Sequence, residues 1–143
     1  MNIIEAINRI DSLKHNTYTE SDKVAWLSEL DSMVKVEIID THEGDVTFNG
    51  YADLTDTQTE LLITAPYDKA YLLWMEAQID YHNGEYDKYN NAMEMFQTAY
   101  EGFKNYYNRT HMPKGKKIKY FGEPATQQYA SANSVAKISI KEV

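Results

Sequence analysis

Glu85-Tyr86-Asp87-Lys88-Tyr89-Asn90-Asn91-Ala92-Met93-Glu94-Met95-Phe96-Gln97-Thr98-Ala99-Tyr100-Glu101-Gly102-Phe103-Lys104-Asn105-Tyr106-Tyr107-Asn108-Arg109 is the stretch that decides the fold. Its Tyr86, Tyr89, Met93, Phe96, Tyr100, Phe103 and Tyr107 recur at three- and four-residue steps, the period of one face of an α-helix. A helix over about 85–109 is roughly 37 Å long at 1.5 Å per residue, and Pro113 stops any continuation. Immediately before it, Asn83-Gly84 reads as the left-handed end of another helix. That helix shows a stripe of Tyr67, Ala70, Tyr71, Trp74, Gln78 and Tyr81, with Pro66 expected in its first turn, where the missing N–H is no loss. So short a turn predicts an antiparallel hairpin with the two aromatic stripes facing.

Further towards the N-terminus, Ile3, Ala6, Ile7, Ile10 and Leu13 mark a short amphipathic helix over about 2–13, with Glu5 in the first turn where the helix dipole favours an anion. Thr19 and Asp22 form a capping pair, and Val24, Leu27, Leu30, Val34 and Ile38 give one face of a helix over about 20–39. From Asp40 to Thr59 the period disappears, and Gly44, Gly50, four Asp and five Thr mark a connection long enough to have a functional or partner-contacting role. Within it, Val46-Thr47-Phe48 suits a small strand. The expectation is therefore a mainly α fold: a four-helix bundle over 1–111 with a long loop between helices two and three. Residues 112–143 follow as a basic linker and extended arm.

Charge changes sign at that boundary. The first 111 residues carry 8 Lys/Arg against 20 Asp/Glu, net −12, whereas Met112 onward carries 6 Lys against 2 Glu, net +4. Opposite potentials steer and orient association, so an acidic body with a basic tail suits an assembly part that reaches an acidic neighbour. An acidic body is a poor general binder of phosphate backbones. Twelve tyrosines and an aromatic content of 13% also suit interfaces as well as cores.

Lys114, Lys116, Lys117 and Lys119 lie among Pro113, Gly115, Ile118, Tyr120 and Phe121, and these apolar anchors favour a protein contact over a solvated tail or a DNA contact. Arg109 and His111 complete that expected surface. Beyond Phe121 the chain is small and polar, with too little apolar mass to fold alone. At its end, Ala136, Ile138 and Ile140 alternate with polar residues, a pattern fit for a strand added to another subunit's sheet. In the long loop, Asp40, His42, Phe48 and Tyr51 are the expected interface residues.

Catalytic patterns are missing from the sequence. There is no cysteine, which excludes disulfides, thiolate metal sites and a cysteine nucleophile and fits a reducing cytosol. His15, His42, His82 and His111 are scattered. Asp40, His42, Glu43 and Asp45 fail the calcium-loop pattern because Gly44 falls one place early. No phosphate-binding glycine loop, His-Glu-x-x-His or Gly-x-Ser-x-Gly occurs. Asn108-Arg109-Thr110 matches a glycosylation acceptor, yet Met1-Asn2-Ile3-Ile4-Glu5 has neither the basic nor the apolar part of a signal peptide, so export is not expected. No apolar run approaches the ~20 residues of a membrane span. The reading is of a protein that needs no catalytic residue, cofactor, metal or membrane.

Three stretches together resemble a known group. They are Glu37-Ile38-Ile39-Asp40-Thr41-His42-Glu43-Gly44, then Ala65-Pro66-Tyr67-Asp68 leading into Trp74-Met75-Glu76-Ala77-Gln78-Ile79-Asp80-Tyr81, then Tyr107-Asn108-Arg109-Thr110-His111-Met112-Pro113. They are similar to the head–tail connector, or adaptor, proteins of long-tailed bacteriophages and prophages of Gram-positive bacteria. The resemblance covers residues 1–121, and 122–143 departs from it. It implies a helical subunit, made in the host cytoplasm and built into the virion neck, that forms a ring commonly of twelve beneath the portal protein. Such a ring extends the DNA channel, lets DNA pass without sequence-specific binding and presents a surface to the next neck or tail component. A small DNA-binding or regulatory phage protein acting through 114–119 is the alternative, and an enzyme or enzyme inhibitor acting through the acidic loop is a third.

Overall fold

The computed structural model describes residues 1–52 and 57–115. Among them are four α-helices, α1 (Ile3–Leu13), α2 (Glu20–Glu37), α3 (Lys69–His82) and α4 (Tyr86–Thr110), and a 3-10 turn, Ile39–Thr41, that follows α2 directly. The described chain is mainly helical, as the periodicity requires, and no strand forms within it; only the isolated bridges Asn2–Glu60 and His42–Pro113 occur.

Each boundary has a local cause. The Asn2 side chain accepts from the Glu5 N–H at 2.9 Å and starts α1. Thr19 and Asp22 form a reciprocal capping box at α2. Gly84, at φ 79°, ends α3: its N–H donates to Tyr81 C=O at 3.1 Å and the Glu85 N–H to Asp80 C=O at 2.8 Å. These are the two bonds of a Schellman cap.

The hairpin forms antiparallel, with the aromatic stripes facing as expected. Tyr67 meets Phe103 and Tyr106 at ring separations of 6.1 and 5.2 Å, Trp74 meets Phe96 at 5.2 Å, and Tyr81 meets Tyr86 and Tyr89 at 5.8 and 5.3 Å. Partner numbers fall on α4 as they rise on α3, the signature of antiparallel packing. Helix α3 is the hub: it packs on α1, α2 and α4, and buries Ala70 to Met75, Ala77, Ile79 and Asp80. The Trp74 indole N–H donates to Trp26 C=O at 2.9 Å, tying α3 to α2.

Several expectations require correction. Pro66 is not in the first turn of α3, which starts three residues later; the Tyr67 N–H instead closes a turn onto Thr64 C=O at 2.9 Å. That turn delivers the Tyr67 ring to α4. The α3 stripe is also too narrow, because a central helix is covered by neighbours on most sides, while Tyr81 remains 50% exposed. Leu13 and Tyr86 stand in solvent at the helix ends. Helix α2 stops at Glu37 because the chain tightens into the 3-10 turn. Val46-Thr47-Phe48 forms no strand, having no edge to pair with; Phe48 packs instead on Tyr51 at 5.0 Å.

Two buried polar groups organise this interior. Asp31 sits fully buried on α2, where Tyr71 Oη donates to its Oδ1 at 2.5 Å and the Tyr51 hydroxyl and the Leu62 N–H donate to Oδ2. Tyr71 Oη in turn accepts from the Ile63 N–H at 2.6 Å. One carboxylate thus fastens two points of the long connection, Tyr51 and Leu62, to α2. At the other side of α3, buried Asp80 pairs with the Lys14 ammonium at 2.8 Å.

Candidate partner-binding site

Helix α4 delivers its last turn beside the 3-10 turn that follows α2. His42 is buried, with Nδ1 at 2.7 Å from Ile38 C=O and 2.9 Å from Thr41 Oγ1. Its ring stands edge-on to Tyr107 at 4.9 Å, and His111 stacks flat on the same Tyr107 at 3.7 Å. Desolvation raises the Tyr107 hydroxyl pKa above its ordinary value, which keeps this ring neutral. A β-like seam closes the corner. The Glu43 N–H donates to Met112 C=O at 2.8 Å and the Lys114 N–H to Thr41 C=O at 2.9 Å, with Pro113 opposite His42. Beside the seam is an open cavity of about 450 Å3 lined by Thr41, His42, Asn108, Pro113 and Lys114.

The basic segment therefore leaves from a defined root. Of the residues expected to bind a partner, Arg109, His111 and Lys114 are exposed around this corner. Lys116, Lys117, Ile118, Lys119, Tyr120 and Phe121 lie outside the described residues, as do the arm residues Ile138 and Ile140. The loop residues diverge. Asp40 is exposed and paired with Lys35, His42 faces the interior, and Phe48 and the half-buried Tyr51 pack together above Asp31. Among the described residues no three His, Asp or Glu side chains converge as metal ligands, and no helix is long and apolar enough to cross a membrane.

Sequence reasoning passed over Asp31, although a signal was there. Val24, Leu27, Asp31, Val34 and Ile38 continue one three–four spacing, so Asp31 is an acid on an apolar face. Tyr107 and His111, one helical turn apart, likewise reveal a stacked pair only once the last turn of α4 is known to persist to Thr110. No protein family, curated protein or solved structure matches the chain.

Proposed function

We propose that this chain is a head–tail connector of a long-tailed bacteriophage. It forms a ring of twelve subunits beneath the portal protein in the virion neck. There it extends the DNA channel and carries the next neck or tail component. Its mechanism is assembly, with no catalytic step and no cofactor.

The observation that carries this reading is the corner at the root of the basic segment. Glu37–Gly44 and Tyr107–Pro113, two of the three stretches that resemble connector proteins, lie far apart in sequence yet meet through two backbone hydrogen bonds and the His42–Tyr107–His111 stack. A rigid, helical, acidic body that fixes the departure point of a basic, aromatic-bearing segment supports a docking role. Docking through the basic segment also makes ring formation conditional on a finished portal, which supplies the surface that the segment binds.

The test is assembly on isolated portal rings of the phage that encodes the chain. The full chain should co-sediment with them in the ratio of a complete added ring, and Lys114, Lys116, Lys117 and Lys119 changed together to Glu should abolish this. Failure of the unaltered chain to associate would overturn the proposal. Retention on duplex DNA that falls steeply with salt and depends on those lysines would favour the DNA-binding alternative.

A further inference from the structure

Helix α2 turns one face to the core and leaves a second apolar strip outside. Met33 and Val36 line a shallow groove of about 440 Å3, with Ser32 beside them and Glu29 and Glu37 at its ends. These positions share one helix face by their three- and four-residue spacing. Val36 is 67% exposed, a large apolar surface to leave in water. Glu37 accepts a hydrogen bond from the Tyr100 hydroxyl at 2.8 Å, and neither acid meets a cation among the described residues.

The seam at the root of the tail gives a starting point. Met112, Pro113 and Lys114 run antiparallel to Glu43, His42 and Thr41, so the described chain ends, in the turn at Lys114-Gly115, close to the C-terminal end of α2. Glu37 lies four residues before Thr41. The residues that come next, Lys116-Lys117-Ile118-Lys119-Tyr120-Phe121, interleave cations with apolar side chains, complementing a groove of apolar floor and acidic ends.

We propose that Lys116–Phe121, which lies outside the described residues, docks in cis along this groove. Its apolar side chains cover Met33 and Val36, and its lysines meet Glu29 and Glu37. The dimensions agree: Glu29 to Glu37 spans about 12 Å of helix, and six extended residues reach at most about 20 Å. In an extended segment Lys116, Ile118 and Tyr120 would share one side and Lys117, Lys119 and Phe121 the other, so Ile118 and Tyr120 can face the groove floor while the ammonium groups reach its wet rim. The tether from the Lys114 anchor is very short, so the local concentration of the segment at its own groove far exceeds that of any second copy in dilute solution. The inference does not depend on the connector reading. It makes the α2 groove and any external partner competitors for one segment.

Trypsin and a zero-length carboxyl–amine crosslinker test this on the full chain alone at low concentration. Cleavage after Lys116, Lys117 and Lys119 should be about tenfold or more slower than after Lys137 and Lys141, since a docking free energy of about 1.4 kcal/mol already reduces the open fraction that much. Crosslinks should join Glu29 or Glu37 to those lysines within one chain. Glu29→Lys with Val36→Asp should abolish both protection and links; Ile118→Asp with Tyr120→Asp, changes made outside the helical body, should do the same without risk to its fold. Equal cleavage at all five lysines in the unaltered chain, or links found only between chains, would overturn cis docking.

Discussion

Asp31 is the residue on which the inside of the molecule turns. Burial raises its carboxyl pKa above the ordinary 3.8, against the opposing effect of the hydrogen bonds from Tyr51, Tyr71 and the Leu62 N–H. Removing the acceptor strands three donors, and each buried unsatisfied polar group costs about 1–3 kcal/mol. Asp31→Ala is therefore expected to destabilise by more than about 3 kcal/mol. Tyr71→Phe, which strands two groups, the Ile63 N–H and one carboxylate oxygen, should cost about 2–6 kcal/mol by the same count and less than the loss of three donors. Urea unfolding of the two variants checks the order; an Asp31→Ala effect below that of Tyr71→Phe would contradict the network. The sign of the pH effect follows from the same shift. A folded carboxyl that holds its proton longer than the unfolded one makes stability fall as pH rises from 3.8 through the folded value. The stability difference in favour of the unaltered chain over Asp31→Asn should accordingly shrink across that window.

At the scale of elements, the helices are set by patterns that a single sequence displays. The three–four aromatic spacing from Tyr86 to Tyr107, the Thr19–Asp22 cap and the Asn83-Gly84 stop each act locally, and each forms as read. What escaped notice depends on distant partners. Pro66 can occupy either a first helical turn or the turn before it, and the choice is made by the Tyr67 ring reaching Phe103 and Tyr106 on α4. The seam between residues 41–43 and 112–114 is two hydrogen bonds long and leaves no periodic trace. Asp31 was legible as an acid on an apolar face, but its tyrosine partners were not. Thr19→Ala should lower stability by about 1 kcal/mol, and Gly84→Ala by about 1–2 kcal/mol because it forces a Cβ into a left-handed backbone. Thermal unfolding measures both, and an unchanged midpoint for either would show that its cap is not what holds the helix end.

For the whole molecule, alkaline pH is the predicted weakness. Desolvation raises the hydroxyl pKa values of Tyr51, Tyr71, Tyr100 and Tyr107 above 10, reinforced at Tyr51 and Tyr71 by Asp31 and at Tyr100 by Glu37. Partial burial lowers that of Lys14, but the hydrogen bond and charge of Asp80, with the charges of Glu76 and Glu85, outweigh it and leave the ammonium above 10.5. The tyrosines hold their protons in the fold and release them near 10 when unfolded, so stability falls as pH rises past 10. The Lys14 contribution is complete below 10.5 and is lost as pH climbs through the raised folded value. Alkaline unfolding should be cooperative, with a group of tyrosines ionising only as helicity collapses; smooth ionisation of all twelve while the helices persist would contradict this interior.

An acidic helical body, a fixed corner at the end of α4 and a basic segment leaving it together support the central claim that the chain joins a phage head to its tail. Electron microscopy of particles made without the chain tests that claim most directly. Heads that have packaged DNA but lack tails and leak their contents are expected; particles with normal tails, or a complete absence of heads, would contradict a connector role.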